Sequence, residues 1–288
     1  MARILLVGTA TLDLVFGVDH FPHADEEIRA QSLRVTRGGN AANSAVVLSQ
    51  MGHQVEFLGV LADAAETTVI TEDFARYGVV YKNCPRLPGK PPTSSIYLTG
   101  DTRSIVHYRD LPDLSSEAIR AVDIQGCDWV HFEGRNVEAV EAMMRHVRDF
   151  CPGLPISLEL EKPREGLAAL YCLADMLICS RNFARHISAD REDFLSLMQQ
   201  QAPQARIVLA AGERGAYALD EKGATVHAAA LAPADIVDTL GAGDTFNAAL
   251  LDGALQGLSL SSILHHACNI AGRKCGVSGL HLPPELFM

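Results

Sequence analysis

The chain predicts an α/β protein: a mainly parallel central sheet with helices on both faces and a second, smaller sheet. Three observations carry that expectation. Short, mostly apolar runs at 4–7, 55–60, 129–133, 156–160, 176–179 and 207–210 alternate with longer helix-like segments. Strands that alternate with helices pack as a parallel sheet covered on both sides. The 288 residues are 48% hydrophobic and 20% charged, a globular balance with ample length for a large core. No internal repeat, low-complexity tract or interdomain linker interrupts them, so residues 1–288 read as a single domain.

Charge and cysteine usage narrow the partners. The net charge is −11 with no Lys/Arg block, which argues against nucleic acid or an anionic membrane as partner. No apolar run reaches the length of a membrane span. The N-terminus enters the 4–7 run too abruptly for a signal peptide. Seven cysteines lie at no metal-ligand spacing, and an odd, unpatterned set suggests reduced thiols in the cytoplasm.

The first run, 4–7, reads as a buried strand ending at Gly8, with Asp13 just past its C-terminal end. Ligands of open parallel sheets collect at that edge. Between 14 and 37 the pattern breaks into short apolar pieces without helical period. These look like strands of an inserted, half-exposed sheet, which needs a ligand or a partner subunit to cover it. Arg37-Gly38-Gly39-Asn40-Ala41-Ala42-Asn43-Ser44 is a Gly-Gly turn opening a helix that stops at Gly52. Asn40 and Asn43, three apart, can face one ligand, and amides that both donate and accept suit a polyhydroxylated one. An Asn cap with small residues packed on a sheet would look the same.

A strand at 55–60 and a helix at 67–77 follow, the latter closed by Gly78. Runs at 94–98 and 104–108 flank Gly100-Asp101, a hairpin signal that joins the inserted sheet and carries Arg103 at its tip. The strand at 129–133 ends on Glu133, and an amphipathic helix at 137–150 succeeds it. The strand at 156–160 leads to Glu161 and Lys162, and the one at 207–210 runs into Ala211-Gly212-Glu213-Arg214-Gly215. Helices at 241–255 and 259–274 finish the pattern.

The richest stretch is Val237-Asp238-Thr239-Leu240-Gly241-Ala242-Gly243-Asp244-Thr245-Phe246-Asn247. Its two glycines open a helix, whose N-terminus and backbone N–H groups make an anion site. Asp244 sits inside that turn, where a catalytic base beside a transferring phosphoryl group would belong. An ordinary turn with an acid near a helix N-terminus is the plain alternative. Other chemistries fail on residues: there is no P-loop, Phe246 stands where a Rossmann fingerprint wants its third glycine, and no G-x-S-x-G occurs.

Both Gly-rich helix starts, in this order, resemble the ribokinase-like (PfkB-type) carbohydrate kinases from residue 4 to about 276. The strings at 37–44, 131–136, 161–165, 237–248 and 271–276 look most like the ketohexokinase branch. The resemblance implies a three-layer α/β/α fold whose small sheet, with strands inserted at about 14–37 and 94–108, is a lid. It implies an ATP-dependent sugar kinase acting on a ketohexose such as fructose at C1. A kinase for another ketose, ribose or a nucleoside is the alternative. A non-catalytic sugar- or nucleotide-binding regulator is another, against which the intact Asp244 argues.

By the same resemblance Asp244 is the base, and Gly241, Ala242 and Gly243 line the anion hole. Asp13, Gly39, Asn40 and Asn43 hold the sugar, and Asp25 reaches the partner's sugar site in a homodimer clasped through the lids. Arg103 and Lys162 approach the phosphates, while Gly212, Glu213 and Gly215 lie along the nucleotide. Pro233, Phe246 and Cys268 sit near the adenine, where a core reading serves equally well. Mg²⁺ is expected. Many relatives carry N-x-x-E near the strand end at Ser180, but here the run is Ser180-Arg181-Asn182-Phe183, so Glu133 is the candidate metal-holding substitute. A monovalent cation such as K⁺ is implied near Asp238.

Overall fold

The structure, a computed structural model, describes residues 1–100 and 102–287. Eight strands form the central sheet, in the spatial order β14 (Thr225–Ala228), β13 (Ala216–Leu219), β12 (Arg206–Ala210), β11 (Met176–Ser180), β10 (Ile156–Leu160), β9 (Trp129–Glu133), β1 (Arg3–Val7) and β4 (Gln54–Leu58). The six strands from β12 to β4 pair in parallel, and β13 and β14 add an antiparallel edge.

Alternation along each strand divides the core in two. In β1, Ile4 and Leu6 join one apolar cluster and Leu5 and Val7 the other. A strand buried on both faces has no polar side, which is why these runs read as nearly continuous apolar. One face is covered by α1 (Asn40–Gln50), α2 (Thr68–Arg76), α7 (Ala242–Leu255) and α8 (Leu260–Cys275). The other is covered by α3 (Val137–Phe150), the single turn α4 (Ala168–Tyr171), α5 (Arg181–Ile187) and α6 (Arg191–Gln201). The result is the expected three-layer α/β/α arrangement.

Helix α7 is central: Thr245 through Gly253 are all buried. Its small residues let neighbours approach, and a Cβ on Gly253 would lie 3.4 Å from Ile263 of α8. Asp252, buried in α7, accepts bonds from His53 Nε2 (3.0 Å), His266 Nε2 (2.8 Å) and Gln256 Nε2 (2.8 Å). Burial would raise this carboxyl, but the bonds from His266, His53 and Gln256 hold it well below the usual range.

A second sheet has the order β3 (Ser32–Gly38), β2 (Thr11–Gly17), β7 (Thr93–Thr99), β8 (Thr102–Tyr108). A two-stranded pair, β5 (Leu61–Ala62) with β6 (Arg86–Leu87), lies outside both. Strand β2 begins at Thr11, so Asp13 lies within a strand and not in a loop past β1. Thr99 pairs with Thr102 across the hairpin; the expected turn residue Asp101 lies outside the described residues. The seven cysteines are free thiols. Among the described residues no helix is long and apolar enough to cross a membrane.

Candidate active site

The C-terminal ends of the parallel strands meet the N-termini of α1 and α7 at one edge of the sheet. Local sequence makes both helix starts possible. Gly39 has φ 95°, and a Cβ there would run into the Thr9 carbonyl. Gly241, the residue before α7, has φ 77°. Both conformations exclude most side chains. Ser44 Oγ donates to the Asp244 carbonyl at 3.0 Å, locking α1 against the first turn of α7.

A relay of four side chains ends on Asp244. Arg37, only 4% exposed, donates from Nε to Asp73 Oδ2 at 2.7 Å and from its terminal nitrogen to Asn43 Oδ1. A guanidinium can only donate, so the Asn43 oxygen must face Arg37 and its amide nitrogen must face away. That nitrogen donates to Asp244 Oδ2 at 2.6 Å. Burial pushes the Asp244 carboxyl up to about 7; the Asn43 bond pulls the other way, and the charges of Glu133 and Glu161 add to the rise. Asp244 therefore titrates in the range where a carboxyl serves as a base at neutral pH.

Asp13 lies beside this relay. Thr11 Oγ1 donates to its Oδ1 at 2.7 Å, and burial raises its carboxyl above the ordinary value. Asp13, Arg37, Asn43, Asp238 and Gly241 line one cleft of about 240 Å³. Asn40 faces elsewhere: its Nδ2 donates to Glu159 Oε1 at 3.1 Å. Gly243 faces open space, and nothing would meet a Cβ placed on it. In the first turn of α7 the Ala242 N–H donates to the Thr239 carbonyl at 3.3 Å, while those of Gly243 and Asp244 lack intrahelical acceptors, so an anion can take them.

Sequence reasoning missed Glu159. Its Oε1 accepts from Asn40 and, at 2.9 Å, from Asn247 Nδ2. Its Oε2 is buried without a partner. Burial, then the charges of Asp244 and Glu133, raise this carboxyl well above its usual value. The signal was an acid inside the apolar run 156–160 of a central strand. Glu159, Glu133, Glu161 and Lys162 share a small polar pocket, while Lys162 itself is exposed and lies 3.6 Å from Glu161.

Glu133 does not fit the metal-holding expectation. Its Oε1 accepts the N–H groups of Ala41 (2.6 Å) and Thr9 (3.2 Å), and its Oε2 takes Arg135 Nε at 2.6 Å. This carboxylate caps α1 and has no oxygen left over. At the strand end where relatives carry N-x-x-E, Ser180 instead caps α5: its Oγ accepts the Phe183 N–H and donates to the Glu161 carbonyl.

A monovalent cation at Asp238 does not fit either. Oδ1 accepts the Leu240 N–H at 2.9 Å, and Oδ2 accepts Arg34 (2.8 Å) and the Gly279 N–H (2.9 Å). The carbonyl takes the fully buried Lys274 ammonium at 2.6 Å. Burial would raise Asp238, but Gly279, Lys274 and Arg34 hold it below its ordinary value.

The remaining expected positions spread along the same edge and beyond it. Register puts Arg103 on the face of the small sheet that carries Asp13, because Asp13 aligns with Ser94, Ser94 with His107, and Leu98 with Arg103. Gly212 (φ 65°), Glu213 and Gly215 (φ 81°) form the turn between β12 and β13. Pro233 lies in the loop before α7, half-buried. Phe246 and Cys268 are 5% and 6% exposed and belong to the apolar core, so the core reading describes them. Asp25 stands in an exposed loop after β2, with φ 61°.

A family model described as pfkB family carbohydrate kinase matches residues 1–285. Ketohexokinase of Mus musculus is 35% identical over 96% of this chain and 97% of its own length. Ribokinase of Bacillus subtilis (strain 168) is 26% identical over 93% and 90%. Arabidopsis thaliana ribokinase, solved with ribose and ATP, superposes with a TM-score of 0.81 at 19% identity, covering 96% of this chain and 94% of that one.

Proposed function

The chain belongs to the pfkB family of carbohydrate kinases, and from that premise we propose that it phosphorylates a ketohexose, D-fructose or a close relative, at the C1 hydroxyl with ATP as donor. The observation that carries the reading is the relay Asp73–Arg37–Asn43–Asp244, which holds a near-neutral carboxyl between a polar cleft and a helix N-terminus. The 35% identity to a ketohexokinase over nearly the whole chain supports the sugar.

Asp244 accepts the proton of the sugar hydroxyl as that oxygen bonds to the γ-phosphorus and the bond to the ADP oxygen breaks. The backbone N–H groups of Gly241, Ala242 and Gly243 receive the charge on the transferring group. The transition state is loose, so position and charge contribute more than proton removal. A positioned base contributes about 10²–10⁴-fold, and well-oriented reactants recover roughly 7–11 kcal/mol. Asp13, Gly39 and Asn43 hold the sugar, and Asn40 braces Glu159 instead. Arg103 and Lys162 meet the phosphates. Gly212, Glu213, Gly215 and Pro233 border the nucleotide.

Mg²⁺ fits as the companion of the phosphates, since it asks only one or two carboxylates of a protein. Glu159, with its partnerless Oε2 beside Glu161, would hold it, and when bound it supplies charge neutralisation on the phosphate oxygens.

The small sheet is a lid and a dimer surface in this reading. Its outer face carries Leu33, Val35, Val106 and Tyr108, all about half exposed or more, and a second copy of the chain covers it. Asp25, the one described non-glycine residue with positive φ, then reaches the partner's cleft.

Steady-state kinetics on fructose, tagatose, ribose and adenosine, with phosphorus NMR of the product, test the substrate. Fructose turned over best, with phosphate on C1, is the expected result. Efficient turnover of ribose or adenosine with fructose inert overturns the ketohexose assignment and leaves the family.

A further inference from the structure

Arg34 is the least expected member of the cleft. It lies on β3 and reaches out of the small sheet to the loop before α7. One terminal nitrogen donates to Asp238 Oδ2 at 2.8 Å, and the other to Ser278 Oγ at 2.7 Å. Its Nε is buried without a partner. Within the sheet, Arg34 aligns with Val15 and Thr36 with Asp13, so Arg34 and Asp13 share a face and a strand pair. On the other side, Asp238 Oδ1 takes the Leu240 N–H, one residue before Gly241. A continuous path of bonded groups therefore runs from Asp13, through the β2–β3 ladder and Arg34, to the start of the anion hole.

Charge balance makes this contact adjustable. Asp238 faces two cations, Arg34 and Lys274. Lys274 is fully buried and bonds the Asp238 carbonyl and, at 3.4 Å, the Val277 carbonyl. Arg34 is about one-third exposed. Lys274 thus keeps Asp238 compensated when Arg34 leaves, and the buried charge does not forbid the movement. The loop has one permanent tie to α8 and one separable tie to the small sheet.

We propose that Arg34 is a positioning residue that couples sugar binding to the phosphate-binding loop. Its two terminal nitrogens are committed to Asp238 and Ser278, so it acts through them. It sets Asp238, and through the Leu240 N–H it sets Gly241, when the small sheet settles on a sugar held by Asp13. The two substrates then strengthen each other's binding, because each favours the same position of β3. The inference rests on the carbohydrate-kinase reading of the cleft.

The test is a thermodynamic cycle by calorimetry on the full chain. The affinity of D-fructose is measured with and without a non-hydrolysable ATP analogue and Mg²⁺, for the parent, Arg34→Met and Arg34→Lys. In the parent, the analogue is expected to raise fructose affinity by about 5–150-fold. In Arg34→Met that ratio falls to about one, while each ligand measured alone binds within about threefold of the parent. Arg34→Lys, which can reach Asp238 or Ser278 but not both, gives an intermediate ratio. A parent-like ratio in Arg34→Met overturns the proposal, as does a ratio of one in the parent. Loss of single-ligand binding in Arg34→Met overturns it too, since the residue is then merely structural. If fructose does not bind the parent, the substrate assignment fails separately, and the same ratio is read with ribose or adenosine, whichever binds.

Discussion

Replacing Asp244 by Asn removes the proton acceptor and keeps the shape. The carboxyl titrates at about 7 where its ordinary value is 3.8, chiefly through burial. The parent should therefore lose kcat/KM about tenfold per pH unit below about 7 and level off above it. Asp244→Asn should lose that limb and about 10²-fold or more in kcat, ~3 kcal/mol of barrier, while still binding ATP. The same shift makes a stability statement of opposite sense. Between about pH 4 and pH 7 the folded chain holds a proton that the unfolded chain has released, so this group's contribution is full at low pH and is lost as pH rises through 7. About three pKa units correspond to ~4 kcal/mol. The neutral amide escapes that loss, so Asp244→Asn should melt higher than the parent at pH 8 and not at pH 4. A coupled assay of ADP release gives the first result, and thermal melts at the two pH values give the second. An Asn variant with parent turnover and an unchanged pH limb would remove Asp244 from the chemistry.

Neighbouring contacts set further outcomes. Glu159→Gln keeps the bonds that reach Glu159 from Asn40 and Asn247 but cannot ionise when a cation arrives, so the Mg²⁺ concentration for half-maximal rate should rise about tenfold with little change in melting temperature; an unchanged Mg²⁺ titration counts against Glu159. Asp252→Ala strands His53 and His266 and should destabilise by ~3 kcal/mol or more in urea at neutral pH. Because the Asp252 carboxyl is held low, its contribution is present above about pH 4 and fades as pH falls further, so parent and variant should converge in acid. Val35→Glu places a charge on the outer face of the small sheet and should give a monomer by light scattering; an unchanged parental dimer would place the interface elsewhere.

Much of the layering was legible because β1 and its parallel neighbours are apolar on both faces, and α3 spans the expected 137–150. The antiparallel strands β13 and β14 were not. Each has four residues, with Ala216, Ala218 and Ala228 as the fully buried members, so neither length nor side-chain bulk signalled a strand. The motif at 237–247 drew attention to Asp244 because glycine and acid stand together. The partners that set its titration are remote in sequence: Arg37 lies about two hundred residues away, and its choice of Asp73 and Asn43 is a tertiary fact. Glu133 illustrates the reverse. An acid at a strand end looks the same in sequence whether it awaits a metal or caps a helix, and only the N–H groups of Thr9 and Ala41 decide.

The bond from Ser44 Oγ to the Asp244 carbonyl, with α1 packed along α7, makes the base and the Gly-Gly helix start one rigid block. The small sheet is tied to that block through β3, whose Arg37 and Arg34 reach Asn43 and Asp238, while β2 supplies Asp13 and β8 the exposed Val106 and Tyr108. Substitutions in β2, β7 and β8 can therefore alter which sugar is taken and how copies assemble while leaving the catalytic block untouched. An architecture divided this way lets selection try new substrates without first surrendering the chemistry.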